Sequence, residues 1–267
     1  MPTFALVIEY DGTDFAGWQV QAGGARTVQG VLAAALRSVT GEAVTVHGAG
    51  RTDAGVHAEG QVAHVALATR LGPGELCRAL GALLPRDVAV RRVVAVPDAF
   101  HARRDARSKL YRYRLWTGPT RSPLRDRSSL WVRGALDLGA LREAAQHLVG
   151  THDFTSFRAA GSAVPTSTRT LTRAEVVGEP GAEVALDFEA TGFLRHMVRN
   201  LVGTLLEVGR GRRPADSLPA LIAARDRAQA GPTAPAQGLT LIAVRYDFPL
   251  ESEGLAAERV DAAEPLG

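Results

Sequence analysis

Cysteine is almost absent from this 267-residue chain. Cys77 stands alone, so an internal disulfide and a cysteine-based metal site are both excluded. No apolar run approaches the ~18 residues of a membrane span. The opening Met1-Pro2-Thr3-Phe4 has no charged segment leading into an apolar one. A secretory leader is therefore not expected, and a soluble cytoplasmic protein is. Lysine is as scarce as cysteine: Lys109 is the only one among 31 basic residues. The glycines between Gly48 and Gly55 are followed by no Gly-Lys-Ser/Thr, and no dinucleotide fingerprint occurs. A nucleotide cofactor is therefore not expected.

What is present is hydrophobic mass and unevenly spread charge. At 46% hydrophobic residues, the chain can bury one large core or two modest ones. The net charge is only +3. The last segment, 249–267, holds five acids against Arg259, so the rest of the chain carries +7. Between Ala99 and Arg133, nine arginines and Lys109 face only Asp105 and Asp126. The preference for arginine over lysine reads as compositional bias. Its clustering is the better evidence, because a local field of this size attracts a polyanion such as nucleic acid. Aromatic residues (Phe100, Tyr111, Tyr113, Trp116, Trp131) interleave the same stretch, as RNA-binding surfaces require for stacking.

The pattern of elements is mixed. Phe4, Leu6, Ile8 and Tyr10 alternate along a strand. Thr27 can cap a helix with apolar positions Val28, Val31, Leu32, Ala35, Leu36 and Val39. Strands are expected at 43–46 and 61–67, and Pro73 opens a helix striped by Leu76, Leu80, Leu83 and Leu84. Val88 to Val96 is a strand, and 109–116 places Tyr111, Tyr113 and Leu115 on one face. Residues 117–133 read as a loop, 138–149 as a helix and 155–168 as a mobile loop. Strands follow at 169–178 and 184–190. A helix spans 194–210, with Arg195 and Arg199 as i, i+4 neighbours, and another spans 215–229. Leu239 to Phe248 is the last strand, and the acidic segment after it reads as disordered.

The stretch Gly48 to Ala58 concentrates one carboxylate, one guanidinium and several glycines between two expected strands. On pattern alone Asp53 has two readings: a turn residue bonded to nearby amides, or a nucleophile or base held near an arginine. Tyr111 is either a half-buried strand residue or a base-stacking platform and proton shuttle. Arg199 is either a snorkelling cation at a helix edge or the partner of an acid. His47, His57 and His64 match no metal-ligand spacing and read as core or surface histidines, so no metal is expected.

Six ordered motifs then carry a resemblance. They are Tyr10-Asp11-Gly12 with Gly17-Trp18-Gln19-Val20-Gln21, and Gly50-Arg51-Thr52-Asp53-Ala54-Gly55-Val56-His57-Ala58. Next come Phe100-His101-Ala102-Arg103 with Tyr111-Arg112-Tyr113, and His152-Asp153-Phe154-Thr155-Ser156-Phe157. Gly192 to Asn200 and Thr233 to Leu239 complete the set. Together they resemble the TruA family of tRNA pseudouridine synthases from about Phe4 to Phe248. Arg104 stands where that family usually has Phe, and Gly81 where an Asn is common.

The resemblance implies an α/β fold of the α+β type. Two sheet-and-helix domains, 1–104 and 105–248, would join mainly antiparallel strands into a continuous central sheet, with 249–267 as a tail. It implies conversion of uridine to pseudouridine at positions 38, 39 and 40 of the tRNA anticodon stem-loop, with no cofactor, by a homodimer. It makes Asp53 the catalytic carboxylate, acting at C1′, at the uracil ring or on the C2′ proton. Arg199 becomes its counter-charge, and Tyr111 both stacks on the uracil and removes the C5 proton. Arg51 displaces the base or holds a phosphate, and Arg103 joins the substrate-binding surface. Arg104 adds a phosphate contact or alters local packing. The rival readings are a relative with another RNA site preference and a non-catalytic RNA-binding protein on the same scaffold.

Overall fold

The computed structural model describes residues 1–161, 164–247 and 250. The strands are β1 (Thr3–Tyr10), β2 (His47–Gly48), β3 (His57–Ala66), β4 (Val88–Val96), β5 (Ser108–Trp116), β6 (Leu130–Trp131), β7 (Gly150–Asp153), β8 (Thr168–Gly178), β9 (Glu183–Ala190) and β10 (Leu239–Arg245). The helices among the described residues are α1 (Val28–Thr40), α2 (Pro73–Leu83), α3 (Leu138–Gln146), α4 (Met197–Gly209) and α5 (Leu218–Ala224).

All ten strands belong to one sheet, in the order β4-β1-β3-β10-β5-β9-β8-β7, with β2 on β3 and β6 on β5. Pairing is antiparallel except for β10 with β3 and β5 with β6. The expected α/β fold with a continuous, mainly antiparallel sheet is what the chain adopts. The decisive strand is the last one. β10 inserts between β3 and β5, so Leu241 has Ala58 on one side and Tyr111 on the other. Two strand spacings, about 10 Å, then separate the strand that follows the Asp53 loop from the strand that carries Tyr111. Gly60 permits this closeness: a Cβ there would lie 2.4 Å from the Ile242 carbonyl oxygen.

Local signals explain much of this. Thr27 accepts the Gly30 N–H and caps α1. Pro73 opens α2, which packs on β4. Both faces of β1 are buried, and both its edges are paired, with β3 and β4. α4 is buried all round except at Arg199 and Glu207, which makes it the central helix of its half.

Several expectations are corrected. Residues 43–46 form no strand; Gln29 Nε2 donates to the Val46 carbonyl at 2.8 Å, so that group never joins a ladder. β3 begins at His57, four residues earlier than expected. Leu83 is exposed, and the α2 stripe rests on Leu76 and Leu80. The loop at 117–133 contains the short strand β6. Residues 155–157 form a 3-10 turn with Ser156 and Phe157 fully buried, and Ser156 Oγ donates to the Leu221 carbonyl at 2.7 Å. The expected helix at 215–229 is interrupted, because Arg225 adopts φ 51° and Asp226 caps a separate turn through the Ala228 N–H. The final strand ends at Arg245. The acidic segment 249–267 lies outside the described residues apart from Leu250. No helix among the described residues is long and apolar enough to cross a membrane.

Candidate active site

The Asp53 loop is pinned from below before anything reaches it from above. Tyr10 and Thr52 share a hydrogen bond of 2.8 Å, and burial pushes the Tyr10 phenol up to about 12. The Trp18 N–H donates to the Thr52 carbonyl at 3.0 Å. Gly17, at φ 100°, lies so close that a Cβ would come 2.7 Å from that same oxygen. His57 ties the loop to the end of the chain. Its Nδ1 accepts the Gly12 N–H at 3.1 Å, so Nε2 carries the proton and donates to the Gln237 carbonyl at 3.1 Å. Asp11 Oδ1 also lies 3.2 Å from Nδ1, but the directed amide bond occupies that nitrogen.

Asp53 therefore stands on a rigid turn, with its side chain about a third exposed. Arg199 Nη1 lies 3.6 Å from its Oδ2. This is ion-pair range and longer than a hydrogen bond. The guanidinium is held independently, since Arg199 Nε donates to the Ala234 carbonyl at 2.7 Å and the Ala234 N–H returns a bond to the Arg199 carbonyl. α4 in turn fixes that loop. Asn200 Oδ1 accepts from Thr233 Oγ1 at 2.6 Å and from Arg227 Nη2 at 3.1 Å, and its Nδ2 donates to the Phe157 carbonyl.

Tyr111 lies across β10 from β3, 7% exposed, with its ring edge-to-face on Phe193 at 5.2 Å. Burial pushes its phenol well above the usual range, and the charges of Tyr10 and Asp53 add to the effect. The phenol is consequently protonated at neutral pH. Its neighbour two residues on, Tyr113, donates to the Pro235 carbonyl at 2.8 Å and braces the same closing loop.

His196 is the residue that sequence reasoning passed over. Its Nε2 lies 3.6 Å from Asp53 Oδ2. The available signal was a histidine three positions before Arg199. It was obscured by the expectation that the helix began at 194. α4 begins at Met197, and Arg195 lies in the turn before it, its carbonyl accepting the Ala159 N–H. Arg195 and Arg199 are therefore not neighbours on one helix.

The basic segment separates into two classes. Arg112 grips the fully buried Asp187 at 2.7 and 2.8 Å. Arg107 pairs with Asp247, Arg114 with Glu59, Arg121 with Asp126, Arg125 with Glu183, and Arg127 with Asp11 and Asp14. Much of the charge counted in the sequence is thus neutralised across the sheet. Arg51, Arg103, Arg104 and Lys109 meet no carboxylate within ion-pair range among the described residues. Lys109 and Arg51 adjoin the Asp53 loop, and Arg103 lies near enough to Lys109 for its charge to be felt. Lys109 packs its methylenes on Gly50, where a Cβ would meet Cε at 3.3 Å, and Arg51 is the next residue. Burial first, then the charge of Arg103, brings the Lys109 amine down to about 8. Arg104 stands apart, lining a cavity of about 350 Å³ with His47, His64 and His101. The rings of His47 and His64 stack there at 4.9 Å, and His64 Nδ1 accepts the Ala102 N–H, while His57 is elsewhere.

Comparison with known proteins gives the family. A family model described as tRNA pseudouridine synthase matches residues 6–105 and 144–247. The chain is 48% identical over 246 residues to tRNA pseudouridine synthase A of Myxococcus xanthus, covering 92% of each protein. It is 46% identical over 272 residues to the protein of that name from Solidesulfovibrio magneticus, covering all of this chain and 99% of the relative. The protein of that name from Geotalea uraniireducens is 46% identical over 246 residues, covering 92% of this chain and all of the relative. The fold, the motifs and these matches place the chain in the tRNA pseudouridine synthase family.

Proposed function

We propose that the chain isomerises uridine to pseudouridine at positions 38, 39 and 40 of the tRNA anticodon stem-loop, as a cytoplasmic homodimer without a cofactor. The observation that carries the reading is the Asp53 carboxylate, held on a pinned turn 3.6 Å from an arginine that is itself locked in place. A unit of residues 1–104 supplies the carboxylate, and a unit of residues 105–248 supplies Tyr111 and Arg199. The target base leaves its stack and lies against Tyr111. The bond from ribose C1′ to N1 breaks with Asp53 acting at the sugar or the base. The ring turns, C1′ joins C5, the C5 proton leaves, and N1 gains a proton. Atoms and charge balance with no external reagent. Because the Tyr111 phenol is protonated, it serves the C5 proton as a relay, accepting at oxygen as its own proton passes on toward Asp53.

Unmodified tRNA transcripts incubated with the protein, then mapped by carbodiimide-dependent primer extension, test the reading. Stops at positions 38 to 40 are expected. Stops elsewhere would reassign the site, and none on any transcript would remove the activity.

Lys109 and Arg103, which meet no carboxylate within ion-pair range among the described residues, support a route for the RNA backbone past the Asp53 loop. Replacing Lys109 and Arg103 together by Gln should lower the slope of log affinity against log salt by roughly 1 to 2. Replacing Arg107 and Arg121, already held by Asp247 and Asp126, should leave it unchanged. Filter binding across a salt series reads both. An unchanged slope in the first variant would route the backbone elsewhere.

A further inference from the structure

α4 is entered through a conformation that L-residues avoid. His196 has φ 60° and ψ 2°. Among the described residues only Arg225 shares a positive φ without being glycine, whereas eleven glycines adopt one. Glycine or asparagine would make this turn with less strain. The imidazole does not repay the strain by capping the helix, for it makes no cap hydrogen bond. It points instead at Asp53, with Nε2 3.6 Å from Oδ2. Arg199 Nη1 reaches the same oxygen at the same distance. Two donors three residues apart thus converge on one carboxylate oxygen, while no hydrogen bond or ion pair among the described residues commits the other. Strain held in place beside reacting groups is a mark of function.

The charges around the ring set its state. Burial lowers the His196 pKa, Asp53 opposes this, and Arg199, Arg195 and Arg227 reinforce it. Burial and the three arginines thus disfavour the charged form of the ring.

We infer that His196 is a positioning residue for Asp53: its Nε2–H donates to Oδ2, fixes the carboxylate rotamer together with Arg199, and presents Oδ1 to the ribose or the base. This rests on the activity proposed above. Catalytic contacts that are long in a free enzyme tighten when substrate closes the site, and a 3.6 Å approach from two sides is placed to do so.

Three variants separate donor from turn. His196→Gly removes the donor and relieves the backbone. His196→Ala removes the donor alone. His196→Gln restores an N–H near the position of Nε2. Expected for Gly and Ala is a kcat lower by about 10- to 100-fold with KM for tRNA unchanged. The melting temperature of the Gly variant should be at or above that of the parent, and Gln should recover most of kcat. The Asp53 carboxyl carbon resonance should move in Gly and Ala and return in Gln. An unmoved resonance overturns the inference whatever the turnover. So does parental kcat in the Gly variant, or a Gln variant as slow as Ala. A moved resonance in a protein that forms no pseudouridine would leave this inference standing and overturn the proposed activity alone.

Discussion

Asp53→Asn should lower pseudouridine formation by roughly 10⁴-fold or more, the scale seen when an interdependent catalytic unit loses a member. That corresponds to about 5 kcal/mol of transition-state stabilisation. Affinity for tRNA should stay within about twofold, because phosphate contacts dominate it and Asp53 makes none. Asparagine has the same shape. Its oxygen can still face Arg199 and His196, so the pinned turn of Tyr10, Thr52 and Trp18 is undisturbed. Asp53 is partly exposed, so stability should change by less than about 1 kcal/mol. Single-turnover assays with mapped tRNA, beside filter binding and thermal melts, separate these quantities. Near-parental turnover would remove Asp53 from the chemistry. Lost binding would show that the carboxylate shapes the loop instead of acting on uridine.

Much of the fold is legible because its signals are local. Thr27 caps α1, Pro73 opens α2, and alternation marks β1 and β5. The Asp53 motif is legible for the same reason, since its residues are contiguous. What escaped depends on partners far away in sequence. Residues 43–46 have strand composition, yet a side-chain amide from α1 takes the Val46 carbonyl. The place of β10 between β3 and β5 follows from no pattern within β10, whose residues 239–244 are buried on both faces and show no alternation. Charge was the most misleading signal. A count over 99–133 treats Arg112 and Arg103 alike, but strand register sets Arg112 opposite Asp187, whereas no carboxylate among the described residues comes within ion-pair range of Arg103. His196 was hidden by the strength of the apolar stripe at 194–208. That stripe continues through Leu194, which is buried in the preceding turn rather than in the helix.

Tyr111→Phe should separate bond breaking from product formation. Phenylalanine keeps the ring on Phe193 and the surface against which a uracil would lie, and loses only the hydroxyl. Glycosidic cleavage should therefore proceed, while loss of the C5 proton should slow by about 10²- to 10⁴-fold, the usual worth of positioned proton transfer. The expected observation is a trapped or rearranged nucleotide adduct, seen by mass spectrometry of the tRNA after incubation, with little free pseudouridine. The pH dependence distinguishes a relay from a phenolate base. Burial, followed by the charges of Tyr10 and Asp53, raises the Tyr111 phenol above its ordinary value. A phenolate mechanism would make kcat climb steeply toward alkaline pH, whereas a relay through the neutral phenol leaves kcat flat across neutrality. Any alkaline change near pH 8 should then appear in KM, because Lys109, brought down to about 8, loses its charge there as the pH rises. Lys109→Gln should remove that rise in KM and leave the kcat profile of the parent. Unchanged activity in Tyr111→Phe would end the relay. A kcat that follows phenol ionisation in the parent would replace it with a phenolate base.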